Sequence, residues 1–235
     1  SGILSNVTLI RKQIRSDKRP LTIKFPKLKV SGFSDVYSMT GERLIEGLHY
    51  AYDKYGIENT LVICRSNKNA NLYNQNIRSR ILFRDEELTG GDHVMVVRNN
   101  YFWVAEGEEQ SPDFIANGDM AVVRRVRNVH EQHGFRFADV TLNFVDKEDA
   151  EPLSCRVLLD VLYTDAPSLS LADHKILFES VLVDYEHILN RKDKLAAIKL
   201  DPYYNALQIK FSMAVTCHKA QGGQWGAVFV DQGYL

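Results

Sequence analysis

The sequence has no apolar run near the roughly 20 residues that a membrane-spanning helix needs. It also lacks an N-terminal apolar segment followed by a cleavage site, which would mark a signal peptide. The three cysteines, Cys64, Cys155 and Cys217, are far apart and form neither a CxxC pair nor a Cys/His ligand set. These absences predict a cytoplasmic protein with reduced cysteines, no bound metal and no membrane contact.

No glycine in the sequence is followed by lysine, so the chain contains no G-x-x-x-x-G-K-[ST] phosphate-binding loop. This absence excludes a complete P-loop nucleotide site built from these residues alone. The chain does not begin with Met, and we expect a segment of a longer protein.

The net charge is only −1, so the chain as a whole is not a polycation. The charge is unevenly distributed, because residues 1–30 are basic and residues 141–190 are acidic. This asymmetry is compatible with one face that meets an anion, and equally with two solvated surfaces. The hydrophobic fraction of 45% is enough for an apolar core.

Hydrophobic periodicity predicts four helices, at residues 1–15, 40–55, 69–82 and 171–189. The run of residues 59–64 is continuously apolar and suits a buried parallel strand that ends at a turn beginning with Arg65. Shorter β-type runs follow at residues 91–97, 118–126, 135–144 and 156–163, which suggests a small antiparallel barrel. Residues 210–216 form one further predicted strand. Because an apolar strand ends in a motif on each side of the β insert, we expect residues 57–64 and 211–216 to be neighbouring strands of one sheet. The sequence therefore predicts an α/β segment, then a β-rich insert, then a second α/β segment.

The stretch TCHKAQGGQW, from Thr216 to Trp225, lies between two apolar runs. Its lysine and histidine can donate hydrogen bonds to phosphate oxygens, and its adjacent glycines let a phosphate or sugar approach the backbone. By chemistry alone the stretch is either an anion-contacting loop or a polar turn between two strands.

Three motifs together resemble superfamily-one, RecD-like DNA helicases of the exonuclease V α-subunit type. TCHKAQGGQW resembles the fifth helicase motif, and LVICRSNK at residues 61–68, followed by YNQNIR at 73–78, resembles the fourth. FIANGD at residues 114–119 resembles a segment of the SH3-like barrel that the RecD branch inserts between these motifs. The resemblance covers residues 60–235 and also implies a UvrD-like C-terminal domain.

The resemblance implies an α/β fold: a RecA-like (P-loop NTPase type) second motor domain with an inserted small SH3-like β-barrel. Residues 1–90 would be the first part of RecA-like domain 2A, residues 91–205 the barrel subdomain 2B with a helix, and residues 206–235 an incomplete return to domain 2A. The partners it implies are single-stranded DNA, the N-terminal RecA-like motor domain of the same protein and subunits of a nuclease complex. ATP and Mg²⁺ would bind the full-length protein, and this fragment alone would be inactive as an ATPase.

The resemblance also implies roles for individual residues. Arg65 would be the catalytic residue and reach the γ-phosphate of ATP, with Gly222 and Gln224 near the nucleotide. The expected DNA-binding residues are Thr216, His218, Lys219 and Asn67. Gln224 and Trp225 stand where the family usually has Glu and Phe, which leaves the nucleotide role of position 224 open.

Two other sets of residues have competing interpretations. Arg78, Arg80 and Arg84 could line a nucleic-acid track, but we expect a solvated helix face. Tyr101, Phe102 and Trp103 could stack on bases, but we expect them in the barrel core.

The alternative to a helicase fragment is a non-enzymatic module that binds nucleic acid or protein. A hydrolase based on Cys217 and His218 is disfavoured, because no oriented base or acid accompanies them.

Overall fold

The computed structural model describes residues 1–16, 27–104, 114–145 and 151–232. Within these residues the helices are α1 (Gly2–Ser16), α2 (Leu44–Tyr55), α3 (Asn67–Arg80), α4 (Leu171–Asp184) and α5 (Arg191–Lys199). The strands are β1 (Thr60–Cys64), β2 (His93–Val96), β3 (Met120–Gln132), β4 (Phe135–Phe144), β5 (Leu153–Leu158), β6 (Leu207–Phe211), β7 (Ala214–Thr216) and β8 (Ala227–Val230). The chain divides into two compact units, Ser1–Tyr50 and Ala51–Leu235.

In the first unit, α1 is tied to the segment that precedes α2. The amide of Asn6 donates to the carbonyl of Lys29 at 2.9 Å and accepts from its N–H at 2.7 Å. The carboxylate of Asp35 accepts from the hydroxyl of Ser1 and the N–H of Gly2, at the start of the helix. These hydrogen bonds lower the pKa of Asp35 to about 2, and the bond from Ser1 has the largest effect.

In the second unit, β1 lies at the centre of a three-stranded parallel sheet with the order β7-β1-β8. Its residues are almost all buried, as expected for a continuous apolar strand in a parallel sheet. Cys64 is in register with Thr216, and Ile63 with Val230. The prediction that residues 57–64 and 211–216 contribute neighbouring strands to one sheet is confirmed by the pairing of β1 with β7.

Strands β2 to β6, which lie between α3 and β7 in the sequence, form a closed barrel. Neighbouring strands are antiparallel except β5 and β6, which are parallel. The β3–β4 hairpin turns at His133 and Gly134, which both have positive φ, as a tight hairpin requires. The predicted β insert is confirmed as a small closed barrel.

The predicted strand at residues 210–216 is in fact two strands in two sheets. Strand β6 closes the barrel against β2, and β7 pairs with β1. The chain crosses between them at Ser212 and Met213: the Ser212 N–H donates to the carbonyl of His93, and the Met213 carbonyl accepts from Val62. The parallel sheet therefore resumes at Ala214, whereas the sequence analysis placed the return to the α/β domain at residue 206.

Other element boundaries also differ from those predicted. Strand β5 ends at Leu158, where its pairing with β4 ends, and the rest of the apolar run is buried in a 3₁₀ turn at Leu159–Val161. Helix α4 ends at Asp184 rather than at residue 189. Apolar residues buried in a turn have the same sequence signature as a strand, which is why the predicted strand extends beyond Leu158.

One apolar core joins the parallel sheet, the barrel and α4. It includes Leu61 and Val215 of the sheet, Met95 and Phe137 of the barrel, and Val181 of α4. Within the described residues, no helix combines the length and apolar character needed to cross a bilayer.

Candidate functional site

The carboxyl ends of the three parallel strands bring the fourth- and fifth-motif segments to one edge of the sheet. Because Cys64 is in register with Thr216, the residues that follow each strand begin side by side. The N–H of Cys217 donates to the carbonyl of Cys64 at 3.1 Å, which continues this pairing by one residue. This edge is the position at which open α/β sheets bind their ligands.

Arg65 is exposed immediately after β1. Its Nη1 donates to the backbone carbonyl of Gln232 at 3.2 Å, just beyond β8. Ser66 then caps α3, since its side chain accepts from the N–H of Asn69. Asn67 is the first residue of α3 and is partly buried. The N-terminus of α3 and the guanidinium of Arg65 thus place positive potential at the same edge.

Residues 216–220 form a tight turn at the end of β7. The N–H groups of Lys219 and Ala220 both donate to the carbonyl of Thr216. Within this turn Thr216 is partly buried, whereas Cys217 and His218 are exposed. The side chain of His218 is therefore accessible to a ligand at the edge of the sheet.

Lys219 joins this turn to the barrel. Its ammonium group donates to Oδ1 of Asn117, in the Asn117-Gly118-Asp119 turn that precedes β3. Partial burial lowers the pKa of Lys219. The TCHKAQGGQW and FIANGD segments, two separate motifs in the sequence, are therefore in contact in the structure.

The barrel turn is itself held by several hydrogen bonds. Asp119 accepts from the N–H of Ala116 at 2.9 Å, and Asn99 accepts from the N–H of Asn117 at 2.8 Å. Gly118 has φ +114°, a conformation that other residues rarely adopt. Asn117 is therefore presented to Lys219 from an ordered backbone.

Gly222 and Gln224 lie further along the segment that connects β7 to β8. Gly222 has φ +88° and Gln224 is exposed. The segment runs to the opposite edge of the sheet, where the N–H of Ala227 donates to the carbonyl of Asn59. Within the described residues, no hydrogen bond joins Arg65 to Gly222, Gln224 or His218; Arg65, Thr216 and His218 share the carboxyl edge of the sheet through the register of β1 with β7.

The expectation of a solvated arginine face on α3 is wrong for Arg78. This side chain is buried and binds the carboxylate of Asp92 with two N–H···O bonds of 3.0 Å. Arg84 donates to the same carboxylate at 2.8 Å. Of the three arginines, only Arg80 is exposed, and within the described residues it forms no ion pair. Arg78 is therefore a structural link between α3 and the barrel.

A groove of about 910 Å³ lies beside the barrel turn and is lined in part by Arg98, Asn99, Tyr101, Asn117 and His174. We expected Tyr101 in the barrel core, but its side chain is 68% exposed, so that expectation is wrong for this residue. Phe102 and Trp103 are partly buried and pack edge to face, and Trp103 donates to the carbonyl of Asn205.

Two residues of the site were missed from the sequence. Asp231 follows β8 at the same edge as Arg65, and Asn74 of α3 holds the start of β7. Asp231 had a detectable signal, because it follows an apolar run in the way that Arg65 and Cys217 do. Asn74 had none, since one polar residue within a helix resembles any solvated position.

In the described part of the chain, no group of three or more His, Cys, Asp and Glu side chains is arranged to hold a metal ion.

Comparison with known families gives one match at the end of the chain. Residues 211–235 match the family model of the UvrD-like helicase C-terminal domain. The comparison with curated proteins gives no match. The matched residues include β7, the turn with His218 and Lys219, and β8, so the expectation of a UvrD-like C-terminal domain is confirmed there. Over residues 211–235, the chain is thus similar to the C-terminal domain of superfamily-one helicases.

Proposed function

We propose that this chain is the second motor domain of an ATP-dependent, RecD-like DNA helicase, with a RecA-like parallel sheet interrupted by an SH3-like barrel. The observation that carries the proposal is the register of Cys64 with Thr216, which sets the residues after β1 and β7 side by side. The family match over residues 211–235 and the closed five-stranded barrel support it.

Arg65 is proposed to stabilise the charge that develops on the γ-phosphoryl group of ATP. A guanidinium is permanently charged and its planar fork fits phosphate oxygens. The bond to Gln232 uses one N–H donor, which leaves the others for a phosphate. ATP would bind between this domain and the N-terminal RecA-like motor domain of the same protein, which would supply the phosphate-binding loop and most of the contacts to Mg²⁺.

Thr216, His218, Lys219 and Asn67 are proposed to contact the backbone of single-stranded DNA. Hydroxyl, imidazole, ammonium and amide groups all donate to phosphate oxygens without reading sequence. In this proposal Gly222 and Gln224 approach the nucleotide. Gln224 would bind a ribose hydroxyl without charge, in place of the usual Glu.

The isolated chain is proposed to have no ATPase activity, because half of the nucleotide site would lie on the other motor domain. The protein would act in the cytoplasm, and subunits of a nuclease complex are proposed as further partners. A phosphate-binding loop upstream of residue 1 in the full-length sequence would be the simplest support for the whole proposal.

The test is steady-state ATPase of the full-length protein with a titration of single-stranded DNA. Arg65→Ala is expected to lower kcat by about 10³-fold with little change in DNA affinity. His218→Ala is expected to weaken DNA binding by about 1–2 kcal/mol.

The matched controls are Arg136→Ala in β4 and His187→Gln after α4, two exposed side chains outside the motif segments; both variants are expected to leave kcat and DNA affinity unchanged. An intact kcat in Arg65→Ala, or a parallel loss of activity and melting temperature in both site variants, would contradict the proposal.

A further inference from the structure

Asp231 lies at the edge of the sheet where Arg65 and His218 emerge. It is the first residue after β8, and its N–H donates to the carbonyl of Ile63 at 2.9 Å. Because Ile63 is two residues before Arg65, this bond sets the end of β8 directly beside the end of β1. The backbone of Asp231 therefore lies next to the segment that carries Arg65.

The carboxylate of Asp231 is held by the first two turns of α3. Nδ2 of Asn69 donates to its Oδ2 at 3.3 Å. Tyr73, one helical turn after Asn69 and on the same face, lies near this carboxylate as well. Burial raises the pKa of Tyr73, and the charge of Asp231 raises it further, as expected for a phenol beside a carboxylate.

Arg65 depends on the residue that follows Asp231. The carbonyl of Gln232 accepts the one hydrogen bond that the structure shows for the guanidinium in the described residues, at 3.2 Å. An exposed arginine without such a bond would sample many rotamers, and catalysis by a phosphate-binding arginine requires a defined position. The position of the Gln232 carbonyl therefore decides where Arg65 points.

We propose that Asp231 is the positioning residue for Arg65. Its carboxylate fixes the end of β8 to α3, and the adjacent Gln232 carbonyl then orients the guanidinium towards the ligand edge of the sheet. The catalytic part of this inference rests on the proposed function of Arg65. The structural part does not, because it concerns the order of one side chain in this chain.

The structural part is tested by NMR on the 235-residue chain. The readout is the ¹⁵N heteronuclear NOE of the Arg65 Nε–H group, assigned by its loss in Arg65→Lys. Asp231→Ala is expected to lower this NOE towards the value of a freely mobile arginine. Tyr73→Phe, which removes only one hydroxyl, is expected to lower it by a smaller amount with the melting temperature preserved.

The ion pair between Arg156 and Asp139 on the barrel provides a matched control, since Nε of Arg156 donates to Asp139 at 2.9 Å. Asp139→Ala is expected to leave Arg65 ordered, and Asp231→Ala is expected to leave Arg156 ordered, since Arg156 also stacks on the ring of Tyr203. An unchanged Arg65 signal in both Asp231→Ala and Tyr73→Phe would overturn the inference.

The catalytic part is tested in the full-length protein with a double-mutant cycle. Asp231→Ala is expected to lower kcat about tenfold with KM for ATP unchanged, and to have no further effect in an Arg65→Ala background. Additive losses would overturn the positioning role while leaving the function of Arg65 intact. An Arg65→Ala variant with normal kcat would instead overturn the proposed function, and the NMR result would still stand by itself.

Discussion

Asn74 on α3 and Ala214 at the start of β7 exchange two hydrogen bonds, although they are 140 residues apart in the sequence. Oδ1 of Asn74 accepts from the N–H of Ala214, and Nδ2 donates to its carbonyl, both at 2.8 Å. Nδ2 also donates to the carbonyl of Phe211 at 3.0 Å, the last residue of β6. One buried amide therefore spans the point at which the chain leaves the barrel and enters the parallel sheet.

Asn74→Ala is expected to lower the free energy of unfolding by about 2–4 kcal/mol, because it leaves three buried backbone groups without a partner. Urea denaturation followed by circular dichroism measures this change. Asn76→Ala is the control on the same helix, since within the described residues that amide bonds to Leu72 alone, one turn earlier. It is expected to change stability by no more than about 0.5 kcal/mol. Equal effects of the two substitutions would show that Asn74 does not anchor β7.

Asp92 is the buried partner of both Arg78 and Arg84 and has no exposed surface. Arg78 also stacks on the ring of Phe211, at 4.3 Å from its centroid. Asp92→Asn is expected to destabilise the fold by about 3–5 kcal/mol, because it leaves buried guanidinium charge uncompensated.

Glu179→Gln, which breaks an exposed ion pair with Lys175, is the control for Asp92→Asn and is expected to cost less than about 1 kcal/mol. Thermal and urea unfolding of both variants make the comparison. If Asp92→Asn lowered the free energy of unfolding as little as Glu179→Gln does, the buried ion pairs of Asp92 would contribute little to stability.

His93 in β2 is expected to make the stability depend on pH. Burial lowers its pKa below the ordinary value of 6.5, helped by Arg84 and opposed by Glu58 and Asp92. The unfolded state therefore binds a proton more readily than the folded state, so the free energy of unfolding falls as the pH drops below about 6.5. His93→Gln is expected to reduce this fall, measured by urea denaturation at several pH values between 7.5 and 5.

His187→Gln, at an exposed histidine, is the control for the pH profile. Some dependence on pH is expected to persist in His93→Gln, because burial also lowers the pKa of His174. Identical profiles for the wild type and His93→Gln would contradict the assignment.

The sequence predicted the helices and strands whose pattern is locally complete. The strand at residues 135–144 was predicted with its observed limits. Its apolar and polar residues alternate, and a tight turn at Gly134 marks where it begins. The pairing of β1 with β7 also followed from sequence, since each is an apolar run that ends in a recognisable motif. Each of these predictions depends on the residues within a segment and not on contacts with distant residues.

The crossing at Ser212–Met213 could not be predicted in the same way. Residues on both sides are buried, so the apolar run continues through the point where the chain changes sheets. The break is set by the partners of each strand and by Asn74, all distant in sequence. The burial of Arg78 was hidden for the same reason, because it is contacts such as those with Asp92, Tyr163 and Phe211 that distinguish this side chain from a solvated arginine.

The last prediction concerns the contact between Lys219 and Asn117. The ammonium group donates to Asn117 and keeps further N–H donors for a phosphate. If the turn after β7 contacts single-stranded DNA, Lys219→Ala removes one phosphate contact. It is expected to weaken binding and to lower the slope of log K against log salt by about 0.7 in magnitude. Fluorescence anisotropy with a labelled oligonucleotide at several salt concentrations, using the full-length protein, measures both quantities.

Two substitutions of Asn117 separate the charge of Lys219 from its orientation. Asn117→Ala is expected to weaken DNA binding less than Lys219→Ala and to leave the salt slope unchanged, because the positive charge remains. Asn117→Asp is expected to weaken binding more than Asn117→Ala, because its carboxylate pairs with Lys219 and repels phosphate. Lys175→Ala, at an exposed lysine on α4, is the control and should leave binding unchanged. A salt slope unaffected by Lys219→Ala would show that this lysine serves only to hold the turn against the barrel.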